Sequence, residues 1–166
     1  MPVLVQQKVD GSGFFNRTWA EYKAGFGDPS GNYWLGNDRL SELTQTGRYK
    51  LRFDLRAVNG TRYWAEYSTF VVLNEAYNYR LERISGYSGN AGNTFLNYNN
   101  FGTEFTTYDR DNDIWTSPGW SGNCAVLSGG ACWFVQCGNC NFNNVRIHFT
   151  WSLRLPLQST RIWLTC

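Results

Sequence analysis

Tyr49–Val72 reads YKLRFDLRAVNGTRYWAEYSTFVV. Leu51, Phe53 and Leu55 alternate with Lys50, Arg52, Asp54 and Arg56, a period of two that gives a strand one apolar and one charged face. Asn59-Gly60 follows, the dipeptide whose left-handed preference suits a two-residue hairpin. The alternation resumes through Tyr63, Ala65, Tyr67 and Thr69 and turns wholly apolar at Phe70-Val71-Val72. A third strand is expected over 77–84, where Tyr77, Tyr79, Leu81 and Arg83 alternate with Asn78, Arg80 and Glu82. The three together predict an antiparallel meander.

Upstream, the β-branched and apolar run 3–9 predicts a strand that Gly11-Ser12-Gly13 ends. Phe15, Trp19, Tyr22 and Phe26 recur at three- and four-residue steps, so a short amphipathic helix is expected over 16–24. A second is expected over 39–44, with Asn37 or Asp38 as its cap. Short helices flanking an antiparallel sheet define an α+β class. Residues 86–105 have the Gly, Asn, Ser and Tyr composition of a loop.

At 166 residues, 42% hydrophobic and 17% aromatic, the chain is long enough for one buried core and short for two. A net charge of +2 with no run of like charge argues against nucleic acid as a partner. No apolar run approaches the ~20 residues of a membrane span, and the N-terminus lacks the pattern of a signal peptide.

The densest chemistry lies in 109–144, DRDNDIWTSPGWSGNCAVLSGGACWFVQCGNCNFNN. Four of the five cysteines fall here among Gly and Asn, which suits a bridged loop of a secreted chain. Cys137-Gly-Asn-Cys140 also has the spacing of a zinc half-site, with Cys124 and Cys132 as the other half. The sequons at Asn16 and Asn59 add support for secretion. The run Asp109-Arg110-Asp111-Asn112-Asp113 offers hard oxygen ligands at two-residue spacing, which suits calcium. It is no EF-hand, because Ile114 stands where the glycine belongs and Trp120 where the glutamate belongs. The alternative is a solvated turn with Asn112 left-handed. His148 is the only histidine, and no Ser or Cys nucleophile has an identifiable base, so no enzyme is expected.

Several blocks, in this order, resemble the fibrinogen-related domain, the globular recognition module of fibrinogen chains, ficolins, tachylectins, angiopoietins and tenascins. They are VQQKVDGS from Val5, Trp19-x-x-Tyr22-Lys23-x-Gly25-Phe26-Gly27, Tyr33-Trp34-Leu35-Gly36-Asn37-Asp38, Leu51–Leu55, Asn59–Tyr63 with Ala65-Glu66-Tyr67, Asp109–Asp113, Gly122-Asn123-Cys124-Ala125 and Asn141-Phe142-Asn143. The resemblance covers about 140 residues and divides the chain into a helix-and-sheet part at 1–108, a calcium- and ligand-binding subdomain at 109–144, and a tail at 145–166 that does not match. Both ends look truncated against the family: its first bridged hairpin would precede Val3, and its last pocket wall and a central strand would follow Asn144.

The resemblance implies Ca²⁺ held by Asp111 and Asp113, with backbone carbonyls completing the shell. Thr116–Trp120 is inserted relative to relatives, so Trp115 and Ser121-Gly122 are the carbonyl candidates. It implies a Cys124–Cys137 bridge, and leaves the pairing of Cys132, Cys140 and Cys166 open. In ficolins and tachylectins an aromatic funnel beside the calcium takes the methyl of an N-acetyl group, with a cis peptide before the second bridge cysteine. Carried over, that pocket comprises Trp133, Phe134, Gln136, Cys137 and Gly138, with Gly138 where relatives usually have His. The implied function is an extracellular, calcium-dependent lectin for N-acetylated sugars on microbial surfaces in innate immunity, oligomerised through segments outside this chain. The alternatives are a protein-interaction module of angiopoietin-like or tenascin type, or a truncated or splice product with impaired binding.

Overall fold

A computed structural model describes residues 1–93, 102–116, 118–119, 122–137, 140–144, 149–152 and 155–166, with only the backbone at 149, 150 and 152. Along the chain run β1 (Val3–Lys8), a 3₁₀ turn (Gly13–Phe15), α1 (Trp19–Ala24), β2 (Phe26–Gly27), β3 (Tyr33–Trp34) and α2 (Asn37–Thr44). They are followed by β4 (Lys50–Ala57), β5 (Arg62–Val72), a 3₁₀ turn (Glu75–Tyr77), β6 (Leu81–Gly89), α3 (Cys124–Ser128), β7 (Phe149–Ser152) and β8 (Leu155–Thr165). One sheet of eight strands has the order β2-β3-β1-β8-β4-β5-β6, with β7 also on β8. The α+β class stands.

The hairpin at Asn59-Gly60 forms as the alternation predicts, pairing Leu55 with Tyr63 and Phe53 with Ala65. The inward side chains Leu51, Phe53, Leu55, Ala65, Tyr67 and Phe70 are buried, and Phe53 packs against Tyr67, Phe142 and Trp151. Covering a phenylalanine ring in this way stabilises by roughly 1.5–3 kcal/mol.

Four expectations are corrected. The tail is a sheet element: β8 lies between β1 and β4, with Thr160, Ile162 and Leu164 turned inward. A register shift opposite Arg56–Ala57 interrupts its period, and a threonine occupies one inward position, so the alternation is hard to see in sequence. The expected strand over 77–84 begins only at Leu81, because Asn78 and Tyr79 are both left-handed, at φ 53° and 51°. The expected loop at 86–105 carries strand β6 as far as Gly89. The first turn of α2 starts at Gly36, whose φ of 109° suits a residue without Cβ, and Asn37 does not cap it. Instead the Asn37 side-chain oxygen accepts the buried Trp34 indole N–H at 3.0 Å.

The α1 helix is short but well ended. Its Thr18 hydroxyl accepts the Glu21 amide at 3.2 Å while Glu21 reaches back to the Thr18 amide, a capping box. Its aromatic face, Trp19 and Tyr22, enters a buried cluster with Trp34, Tyr79, Phe105 and Trp133.

Candidate functional site

The segment from Phe105 to Asn144 is held onto this frame at several points. Thr106 and Cys132 exchange backbone hydrogen bonds as an isolated bridge. Thr107 and Arg110 close a tight turn by exchanging theirs at 3.1 Å. Asp109, at that turn, accepts the Trp19 amide at 2.9 Å and the Thr107 hydroxyl at 2.7 Å, so it complements the N-terminus of α1. The Asn112 amide donates to the Thr106 hydroxyl and its side chain to the Phe105 carbonyl, at 2.9 and 2.8 Å. Among the described non-glycine residues only Asn78, Tyr79 and Cys137 have positive φ, so the left-handed Asn112 of the turn alternative is not adopted.

Asp111 and Asp113 project from the end of this turn. Asp111 accepts the Asp113 amide at 3.2 Å. Asp113 accepts the Trp115 amide at 3.0 Å on Oδ1 and the Cys124 amide at 2.9 Å on Oδ2. Burial pushes the Asp113 carboxyl up to about 6, and the neighbouring Asp111 charge adds to the rise against the lowering effect of the two amides. A carboxylate pair strained in this direction gains from a cation between them. Gly122 is left-handed at φ 72°, and a Cβ there would lie 3.2 Å from the Trp115 carbonyl oxygen. The carbonyl candidates Trp115 and Gly122 are therefore neighbours; Ser121 lies outside the described residues. Hard oxygens of two carboxylates and of carbonyls in this order fit calcium in kind. Among the described residues no group of three or more His, Cys, Asp or Glu could hold a metal ion, so a shell here would depend on carbonyls and water.

Directly behind, Asn123 caps α3: its Oδ1 accepts the Ala125 and Val126 amides at 2.8 and 3.2 Å, and its Nδ2 donates to the Thr107 carbonyl at 3.0 Å. The bridge Cys124–Cys137 forms, and a second joins Cys132 to Cys140. With all four cysteines in disulfides the zinc alternative has no ligands left, and Cys166 is free and exposed.

The ligand-pocket candidates separate. Trp133 and Phe134 are 2% and 1% exposed, so their rings are core and not an open wall. The Trp133 indole donates to the Tyr79 carbonyl at 2.8 Å and packs on Phe70 and Phe105. The expectation of an aromatic funnel from these two rings is corrected accordingly. Gln136 is exposed and Cys137 half-buried, while Gly138 lies outside the described residues. No described peptide bond is cis; the turn at Gln136-Cys137 is made by a left-handed Cys137 at φ 58°. Asn16 and Asn59 are both exposed, Asn59 at the tip of the β4–β5 hairpin.

Sequence reasoning missed Asn78. Its Oδ1 accepts Arg110 at 2.6 Å, its Nδ2 donates to Glu104 at 3.1 Å, and its carbonyl accepts the Phe105 amide at 2.9 Å. The only trace of it in sequence is an asparagine, a residue type that tolerates the left-handed region. The aspartate turn thus docks on a left-handed pair, Asn78-Tyr79, that positions both Arg110 and Trp133.

The frame is an antiparallel sheet carrying a bridged, carboxylate-bearing loop segment. The profile for "Fibrinogen beta and gamma chains, C-terminal globular domain" matches residues 2–158, which includes most of the tail up to Gln158. This chain belongs to that family. Human ficolin-3 is 40% identical over 141 residues, covering 85% of this chain and 45% of the relative. Human angiopoietin-related protein 2 is 41% identical over 134 residues, covering 81% of this chain and 26% of the relative. The chain therefore spans less than half the length of these relatives. Among solved structures, the fibrinogen-like globe domain of human ANGPTL2 superposes with a TM-score of 0.86 at 31% identity, covering 99% of this chain and 79% of that one. A lamprey fibrin D-dimer in complex with the peptide Gly-His-Arg-Pro-amide superposes with a TM-score of 0.82 at 28% identity, covering 97% and 60%.

Proposed function

We propose that this chain is an extracellular recognition module whose ligand face is organised by calcium at Asp111 and Asp113, and that it takes N-acetylated sugars as a weak, lectin-like binder. The observation that carries the calcium part is the Asp113 carboxylate, half-buried beside Asp111 and hydrogen-bonded to the Cys124 amide. A cation there would tie the aspartate turn to the Cys124–Cys137 bridge, and so to the Gln136-Cys137 turn that the ligand would meet. The two disulfides support an oxidising, secreted setting. Similarity to ficolin-3 supports the sugar as ligand. Burying one acetyl methyl is worth only about 0.8 kcal/mol, so useful avidity requires several copies on one particle.

A second reading is favoured by a specific observation: Trp133 and Phe134 are core residues, and the human ANGPTL2 globe domain superposes over nearly the whole chain. In it the same face grips a receptor or matrix protein without a sugar pocket. Neither reading assigns a catalytic role. Passage over an N-acetylated resin in calcium, followed by N-acetylglucosamine and then EDTA, separates the two. The lectin reading expects retention and elution by either agent; free passage in calcium overturns it and leaves the protein-partner reading.

A further inference from the structure

The aspartate turn and its disulfides pack on the inner face of the sheet, where Phe142 meets Phe53 and Trp133 meets Phe70. Alternation along β4 sends Asp54 and Arg56 to the opposite face. There the register sets Arg56 opposite Arg62 of β5 and beside Ser159 of β8, and sets Arg161 of β8 between Asp54 and Gln7. With Val9 these residues line a groove of about 400 Å³, within the range of clefts that take small ligands.

Its lining sets three arginines against one carboxylate, Asp54. Arg56, Arg62 and Arg161 are exposed, and among the described residues none of them makes an ion pair. Asp54 stands across from Arg161 but takes Arg52 at 3.0 Å, and Glu66 lies 3.8 and 3.9 Å from Arg52 and Lys50, so Arg56 and Arg62 face the groove without a carboxylate of their own. Like charges directly across an antiparallel pair repel, at a Cβ separation of about 5 Å. An anion between Arg56 and Arg62 would turn that repulsion into attraction, and Arg161 stands one diagonal away, about 7–8 Å, for a second.

We propose that this groove binds a sulfated glycan segment, with one sulfate forked between Arg56 and Arg62 and a second on Arg161. The planar guanidinium matches an oxyanion in two-point contact where a lysine would not. An extended peptide is disfavoured because β8 and β4 lie inside the sheet and have no free edge to offer its backbone. A net charge of +2 is too small for the field that draws a nucleic acid, whereas a local triad suits discrete sulfates. The Gln7 side chain of the lining is held in place, donating to the Pro29 and Gly31 carbonyls at 3.0 and 2.7 Å.

The test uses the full chain carrying Asn59→Gln, so that no hairpin-tip glycan overlies the groove, in EDTA, so that the candidate calcium site plays no part. Calorimetry with a heparin-derived hexasaccharide is expected to show binding that weakens as salt rises. Arg56→Gln/Arg62→Gln should lose at least about tenfold in affinity, the loss expected for charge-assisted contacts, without lowering the melting temperature. The fully desulfated hexasaccharide should not bind. Unchanged affinity in the double variant, or equal binding of the desulfated sugar, overturns the site. Equal affinity for a DNA duplex of matched charge overturns the sulfated-glycan assignment.

Discussion

Oδ2 of Asp113 accepts the backbone amide of Cys124 at 2.9 Å, joining the aspartate turn to the first residue of a disulfide eleven positions along the chain. Calcium at this carboxylate should therefore be felt as stability of the whole bridged subdomain. For an extracellular-type site with a dissociation constant of roughly 10⁻⁴–10⁻³ M, about 10 mM calcium should stabilise by about 1.4–2.7 kcal/mol. Thermal unfolding in calcium and in EDTA measures the increment, and Asp111→Asn/Asp113→Asn should abolish it. An equal increment in the double variant would place the ion elsewhere.

Trp133 distinguishes a core ring from a pocket ring. Its indole hydrogen bond to the Tyr79 carbonyl at 2.8 Å is buried. Trp133→Phe should cost about 1–3 kcal/mol by leaving that carbonyl unsatisfied, and Trp133→Ala about 3–5 kcal/mol through the cavity as well. Denaturant titration of both checks this. A variant of unchanged stability that loses only ligand would restore the ring to the pocket.

How much of this was legible depended on whether a local pattern and the tertiary structure agreed. Leu51 to Leu55 and Asn59-Gly60 agree at every level, and the hairpin appears where expected. Tyr77, Tyr79 and Leu81 alternate by coincidence: the backbone at Asn78 and Tyr79 turns left-handed because the aspartate turn docks there, a contact with residues 26 to 34 positions away. The β8 strand was concealed by its register shift and by Thr160, which is buried only because its hydroxyl reaches Gln6 at 2.8 Å. For the site, the spacing of Asp111 and Asp113 was visible, while the burial of Trp133 depended on how the sheet and α1 enclose it.

Lys8 sets a pH dependence. Burial pushes its ammonium from 10.5 down to about 8, against the pull of Asp10. Below pH 8 both folded and unfolded chains are protonated there, and the burial cost is fully present. Between about 8 and 10.5 the unfolded chain holds the proton that the folded chain has released, so stability should rise with pH, by up to roughly 3 kcal/mol. Lys8→Met should flatten this rise and stabilise the fold near neutrality. Urea midpoints from pH 7 to 10.5 are the check; parallel curves for the two proteins would assign the dependence to other groups.

Gly130 faces the backbone of Asn143, and a Cβ there would run into the Asn143 carbonyl. That strand of contact matters because Asn143 donates to the Ala131 carbonyl at 3.1 Å and accepts Gln6 at 2.9 Å, linking the bridged subdomain to the sheet. Gly130→Ala should therefore destabilise by about 1–3 kcal/mol, with backbone as the obstacle. Hydrogen exchange should show the loss at Ala131 and Cys132 ahead of β4 and β5, and uniform loosening would contradict the local link.

The second bridge, Cys132–Cys140, holds a buried residue of the aromatic core against a segment that continues into Phe142 and Asn143. Its loop of eight residues should contribute roughly 2.5 kcal/mol in the chain-entropy treatment, slightly less than the thirteen-residue loop of Cys124–Cys137 at roughly 3 kcal/mol. Cys132→Ala/Cys140→Ala should lower the melting temperature and leave the calcium increment in place, since Cys124 still donates to Asp113. Cys124→Ala/Cys137→Ala should reduce both, because it frees the far end of the same hydrogen bond. Peptide mapping of the unreduced chain should return these two bridges with Cys166 alone open to alkylation; a bridge that includes Cys166 would break this assignment.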